Sequence, residues 1–161
     1  MPGTPTLRIG ARVLLLDPQD RVLLIHAKDP DQPDHHWWEL PGGAADPGEA
    51  LTDTARRELA EETGILLDHI GAHLWDRETR FHYRRREHHR RESVYLARLT
   101  DTTPTLHPKH TANEKAGLIE HRWWAQAELA ACGDKLLPPN LPTLLADLLD
   151  GALRQPVLLH T

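Results

Sequence analysis

The sequence predicts a domain of mixed α and β structure, and three observations carry that expectation. Apolar residues near the N-terminus follow strand patterns at residues 7–15 and 21–26. A helical repeat runs over residues 49–63, behind a Pro-Gly turn. A third signal is the leucine stripe near the C-terminus, Leu141, Leu144, Leu145, Leu148 and Leu149, again at helical spacing. With 161 residues there is room for one proper core and too little for two of ordinary size, so residues 1–161 are read as one domain.

Residues 1–6 are Pro- and Gly-rich and read as a loose lead-in. Leu7, Ile9, Ala11, Val13 and Leu15 then fall on one strand face and Arg8 and Arg12 on the other. Asp17-Pro18-Gln19-Asp20 has turn chemistry, and a second strand at residues 21–26 follows, to pair with the first or lie close to it. Residues 29–36, DPDQPDHH, read as a polar loop, and Trp37-Trp38-Glu39-Leu40-Pro41 as a short apolar stretch leading into Gly42-Gly43. Pro47-Gly48 suits a type II turn before the helix, which Gly64 ends. On that helix Leu51, Ala55 and Leu59 recur every four residues and should face the sheet.

Residues 65–75 read as strand, or strand and bend, and residues 77–99 as a hairpin turning near residues 85–87. The hairpin gathers Arg77, Arg80, Arg84, Arg85, Arg86, Arg90, Arg91 and Arg98 in a chain of net charge −5. Such a cluster either keeps an edge strand soluble or clamps phosphates, with one or two arginines touching the ligand. Residues 101–116 form a loop, residues 118–124 a strand, residues 126–131 a short helix, and the leucine stripe a last helix with Asn140 before it and Gly151 after it.

Composition excludes several classes of function. The acidic balance argues against a nucleic-acid polymer as partner. Cys132 is the sole cysteine, so neither an intramolecular disulfide nor a thiolate metal cage can form. The apolar runs are too short to cross a membrane and no signal peptide is evident, so a cytoplasmic location is expected. Twelve histidines are present without an HExxH pair, and they read mostly as surface residues.

The chemistry concentrates between Gly43 and Ile65, where Glu58, Glu61 and Glu62 crowd three carboxylates onto one side of the helix. Like charges so close require a cation. Carboxylates are the hard oxygen ligands Mg²⁺ prefers, and that ion takes further ligands from substrate phosphates. Gly42-Gly43 would let backbone approach such ions closely.

Gly43, Glu49, Arg57, Glu58, Leu59, Glu61, Glu62, Gly64 and Ile65 fit every fixed position of the Nudix box, G-x5-E-x7-R-E-U-x-E-E-x-G-U, with U a bulky aliphatic residue. The W-x-L-P-G-G run before the box and R-W-W with A-E-L near residues 122–129 extend the resemblance more loosely. Similarity to this family implies an α/β/α sandwich with a mixed sheet, and hydrolysis of a nucleoside diphosphate linked to another moiety, X, with Mg²⁺ or substituting Mn²⁺. It further implies that Glu58 and Glu62 are the main metal ligands, Glu61 shares the ions, and a Gly42 or Gly43 carbonyl adds a ligand. Arg57 and Glu49 would orient the carboxylates. A later glutamate often completes such sites; Glu114 is the candidate and Glu120 the second, and the general base is left between Glu58 and these two.

An intact box favours an enzyme over a nucleotide-sensing domain of the same fold. The pocket walls, not the box, choose X. Arg77, Arg80, Trp38 and Tyr83 are the candidate substrate contacts. Nucleoside triphosphates or a related small nucleotide lead the expectation, with ADP-ribose, nucleotide sugars and dinucleoside polyphosphates as alternatives. Relatives often form homodimers, and the sequence leaves that state open.

Overall fold

The computed structural model describes residues 5–100, 102–104, 106, 117–153 and 156–160. Among the described residues nine strands form one mixed sheet: β1 Leu7–Leu16, β2 Val22–Asp29, β3 Gln32–Glu39, β4 Gly42–Ala44, β5 His73–Tyr83, β6 Arg86–Arg98, β7 Leu118–Trp124, β8 Leu136–Leu137 and β9 Val157–His160. Three helices accompany it among the same described residues, α1 Leu51–Thr63, α2 Gln126–Ala130 and α3 Leu141–Leu149. The strand order is β8-β3-β2-β1-β6-β5-β9, with β4 also paired to β1 and β7 to β2. β1 runs parallel to β6, from Leu7 opposite His89 to Leu16 opposite Arg98. This is the mixed α and β class expected.

The central strand explains the two cores. Ala11, Val13 and Leu15 pack with Ala55 and Leu59 of α1 and with Leu23, Ile65 and Ala97. Leu14 and Leu16 face the other way, into a cluster with Trp38, Trp75, Trp124, Leu129, Leu141, Leu144 and Leu145. Both faces of β1 are thus buried from Val13 onward, while Leu7 and Ile9 remain exposed, because helix α1 covers only the later part of the strand. Leu148 and Leu149 are partly buried against the second cluster, so the leucine stripe serves the core.

β1 and β2 pair antiparallel with Leu16 opposite Val22, at the turn that joins them. Farther along, β1 takes β4 as partner, Gly10 to Ala44 and Arg12 to Gly42, and β2 takes β3 and β7. The separation of β1 from β2 opens a cleft between them, and β4 delivers Gly42 and Gly43 into it.

Three local expectations are corrected. Residues 29–36 are not a loop: β2 continues to Asp29 and β3 begins at Gln32, because buried Asp29 accepts the Asp31 N–H (2.9 Å) and closes a tight hairpin. Residues 65–72 are not strand; Ile65 packs in the α1 core, and Gly71 brings its backbone onto the Leu96 carbonyl before β5 starts at His73. The β5–β6 turn falls on Arg84 and Arg85, both with positive φ (52° and 64°), slightly earlier than expected. Two further strands, β8 and β9, are only two and four residues long and were not expected.

Candidate active site

Helix α1 gains its length from Ala-, Arg- and Glu-rich sequence, and it ends where Gly64 turns left-handed (φ 78°) and donates its N–H to the Ala60 carbonyl. On its polar side Arg57 is the organising cation. Its Nε and Nη2 donate to the two oxygens of Glu49 (both 2.9 Å), Nη1 donates to Glu58 Oε1 (3.0 Å), and Nη2 also reaches the Ala44 carbonyl (3.0 Å). Glu61 lies 3.5 Å from the same Nη1, with its side chain about half exposed. The repulsion between Glu58 and Glu61 is therefore offset from within the helix, by a guanidinium that contacts Glu49, Glu58 and Glu61 rather than Glu62.

Glu49 is itself fixed at the start of this arrangement, accepting the Asp46 N–H (3.0 Å) and the Thr54 hydroxyl (2.8 Å). Its hydrogen bonds, first among them those from Arg57, hold its carboxyl down at about 2. Glu58 rests on the backbone of Gly43: a Cβ on that glycine would lie 2.5 Å from Glu58 Cδ. Glu62 accepts the Gly42 N–H (3.1 Å). Burial pushes the Glu62 carboxyl well up, and Glu58 and Glu39 add to this, against the opposing pull of Arg12 and the Gly42 hydrogen bond.

Glu58, Glu62, Gly42 and Gly43 line a cleft of about 510 Å³. The same cleft is lined by Arg77, Arg80 and Tyr83 from the hairpin, together with Arg8, Arg90, Trp37 and Phe81. Arg90 lies over the Phe81 ring, 5.0 Å from its centroid, and Trp37 meets Tyr83 edge-on at 6.0 Å. Burial, the leading influence on each, holds the Arg77 and Arg90 guanidiniums below their ordinary range. Two other hairpin arginines pair with acids outside the cleft lining: Arg91 approaches Asp76 (3.6 Å) and Arg98 approaches Asp20 (3.2 Å).

Trp38 does not join this group. It is 2% exposed on the opposite face of β3, packed edge-on against Trp124, and its Nε1 donates to Asp134 Oδ2 (3.0 Å). Trp37, the residue before it, takes the cleft position and donates its Nε1 to Glu39 (2.8 Å). Glu61 and Glu120 are not among the residues lining the cleft, and Glu120 is exposed on β7. Glu114 lies outside the described residues.

An ion-pair network that the sequence did not reveal sits in the cleft. Arg12 Nε donates to Glu92 Oε2 (2.7 Å), its Nη1 donates to the Leu40 carbonyl (2.6 Å), and Glu39 stands 3.6 Å from Nη1. Glu92 is buried. Burial alone would lower the Arg12 pKa, but Glu92, Glu39 and Glu62 together raise it. The signal available in the sequence was a charged residue, Arg12, immediately before the apolar run of residues 13–16.

Comparison with known proteins bears on the family and the fold. A family model described as the NUDIX domain matches residues 6–148. A putative 8-oxo-dGTP diphosphatase of Bacillus subtilis (strain 168) is 44% identical over 55 residues, 34% of this chain and 34% of that protein. An RNA pyrophosphohydrolase of Caulobacter vibrioides is 43% identical over 61 residues, 38% of this chain and 34% of that protein. The chain thus spans about a third of the length of these relatives. In structure, the MutT protein from Methanosarcina mazei Go1 superposes with a TM-score of 0.68 at 18% identity, covering 93% of this chain and 98% of that one, a likeness of fold.

Proposed function

The chain belongs to the NUDIX family, and from that premise we propose that it hydrolyses a diphosphate bond in a nucleoside diphosphate linked to a further moiety. The observation that carries this reading is the presence of two opposite chemistries in one cleft: the Glu58 and Glu62 carboxylates, and the Arg8, Arg77, Arg80 and Arg90 guanidiniums with aromatic neighbours. A nucleotide polyphosphate complements both, offering oxygens for a metal and for guanidinium forks, and a planar base for the rings.

The donor set fits Mg²⁺, with Mn²⁺ as substitute. Glu58 and Glu62 offer hard oxygens, and Glu62, whose carboxyl is pushed up by burial and then by Glu58 and Glu39, is a group whose ionised form a divalent cation would stabilise. Glu61 would share the ions from its position beside Arg57, and a Gly42 or Gly43 carbonyl would add a ligand. When bound, the metal neutralises phosphate charge and lowers the pKa of a coordinated water. Arg57, gripped by Glu49, positions Glu58 and Glu61. Arg77 and Arg90, held partly desolvated, bind the phosphate that is not attacked. Glu58 or Glu114 receives the proton of the attacking water.

A nucleoside triphosphate or related small nucleotide is the substrate class we propose. The cleft volume of about 510 Å³ lies within the usual range for small-molecule sites, and the relative named as a putative 8-oxo-dGTP diphosphatase is consistent with it. The test is a panel of nucleoside triphosphates, oxidised triphosphates, ADP-ribose, nucleotide sugars and dinucleoside polyphosphates, assayed for phosphate-containing products with and without Mg²⁺. Mg²⁺-dependent hydrolysis of triphosphates is expected, with Glu58→Gln slower by at least about a hundredfold, the usual cost of one electrostatic contributor at a reacting centre. No hydrolysis of any panel member, or near-normal turnover by folded Glu58→Gln at saturating Mg²⁺, would overturn the proposal.

A further inference from the structure

On β2 and β3 the residues alternate between two faces. Ile25, Ala27, His35, Trp37 and Glu39 line the cleft; His26, His36 and Trp38 face the other way. On that far face the His26 ring stacks on Trp38 with centroids 4.2 Å apart and planes 14° from parallel. His26 Nε2 and His36 Nδ1 point at each other across 3.0 Å. Asp134, from the segment between α2 and β8, is held beside them by the Trp38 indole N–H, and one ligand atom from each of the three residues lies within 4.8 Å of the others.

We propose that His26, His36 and Asp134 form a zinc site on the face of the β2–β3 hairpin opposite the cleft.

Three features of the site support zinc. Tetrahedral Zn²⁺ with Zn–N bonds of about 2.0–2.1 Å sets its two nitrogens about 3.3 Å apart. The observed 3.0 Å spacing needs only a few tenths of an ångström of opening. The ring positions are fixed rather than wandering, because β-sheet register places His26 opposite Trp38 and His36 opposite Lys28. The charge is also suitable: Asp134 and Glu120 both bring negative charge to bear on His26, and Glu120 is its cross-strand partner on β7. Two imidazoles and a carboxylate select zinc over the magnesium that suits an all-oxygen set, so the two faces would take different ions. Asp134 is exposed, so solvent can supply the fourth position.

The site would tie two parts of the chain together. Trp38 N–H already donates to the Lys135 carbonyl (2.9 Å), and β8 follows immediately, parallel to β3. Leu137, Pro138 and Pro139, at and beyond β8, line the cleft. Zinc bound on the far face would therefore clamp the segment that leads to the cleft rim.

The test uses the metal-stripped full chain, titrated calorimetrically with Zn²⁺ in excess Mg²⁺ so that the cleft carboxylates are already engaged. Expected is a single zinc equivalent, visible absorption of tetrahedral type when Co²⁺ replaces Zn²⁺, and a rise in melting temperature on zinc addition. His36→Gln and Asp134→Asn should each weaken zinc at least about tenfold, while His69→Gln, in the exposed stretch after α1, should not. Absence of zinc binding above the Mg²⁺ background would overturn the site, as would unchanged affinity in His36→Gln or an equal loss in His69→Gln. If His36→Gln does not fold, Asp134→Asn, at an exposed position, decides alone. Glu58→Gln should retain the zinc equivalent, and its loss there would place the ion in the cleft instead.

Discussion

Gly43 has no room for a methyl group: a Cβ would meet Glu58 Cδ at 2.5 Å and its two oxygens at 2.6 and 2.8 Å. Gly43→Ala must therefore move Glu58 or the β4 backbone. Because the atoms met are the far end of the Glu58 side chain, the carboxylate is what shifts, and the expected result is a loss of Mg²⁺ affinity and of turnover together with little change in stability. Mg²⁺ titration of the variant checks this, and unchanged affinity would show that Glu58 does not hold the ion. Arg57 makes a different prediction. Its fork reaches both oxygens of Glu49 and still contacts Glu58, which the point charge of lysine cannot reproduce. Arg57→Lys should lower kcat about tenfold or more with KM nearly unchanged, the split expected of a residue that positions others. Residues of this kind were legible because they share one helix. Arg12, Glu39 and Glu92 were not: Arg12 and Glu92 are 80 positions apart and meet only through the parallel β1–β6 ladder. The exchange of Trp37 for Trp38 has the same origin, since face assignment requires knowing that residues 32–39 are a strand.

At the scale of elements, the β1–β2 connection rests on one buried carboxylate. Asp17 is 3% exposed; its Oδ1 accepts the Gln19 and Arg21 N–H groups (3.0 and 2.8 Å), and its Oδ2 accepts Arg21 Nε (2.7 Å) and the Thr103 hydroxyl (2.9 Å). Burial would raise its pKa, but the hydrogen bonds from Arg21 and Thr103 and the Gln19 N–H outweigh it and hold the group below the ordinary carboxylate range. A carboxyl depressed in the folded state stabilises the fold above its unfolded pKa of about 3.9, and that contribution is lost as pH falls through the folded value. Asp17→Asn should therefore cost about 1–3 kcal/mol at neutral pH, and the deficit should shrink below about pH 4. Urea unfolding at both pH values tests this; a deficit independent of pH would assign the loss to packing alone. This turn was legible because Asp-Pro-Gln-Asp carries turn chemistry. The β5–β6 turn was legible only approximately, since Arg84 and Arg85 take positive φ without Gly or Asn, and the restraint comes from afar, with buried Asp29 accepting the Arg84 N–H (3.1 Å).

For the whole molecule, the cleft is a consequence of topology. β1 and β2 share a turn, then separate to pair with β4 and β6 on one side and β3 and β7 on the other. Into the gap the fold brings carboxylates that would repel one another in the absence of a cation, Glu62 being crowded by burial and by Glu58 and Glu39. A site so arranged is destabilising until a cation enters it, because ionised carboxylates removed from water and placed together raise the free energy of the folded state. Mg²⁺ that binds only the folded chain should add about 2.7 kcal/mol at a hundredfold excess over Kd. Each kcal/mol moves Tm by about 2–4 °C for chains of about this length, so a rise of several degrees is expected, reversed by chelation. Glu62→Gln separates this effect from general salt stabilisation. Without metal the variant should melt above the unsubstituted chain at neutral pH, since it removes the crowded charge and leaves an amide at Gly42; with Mg²⁺ its gain should be smaller. If the two chains melted together without metal and rose equally with it, the crowding at Glu62 would not govern stability and the cation would have to act elsewhere. The opposite outcome would tie the cost of holding the glutamates together to the ion that the same glutamates are proposed to use.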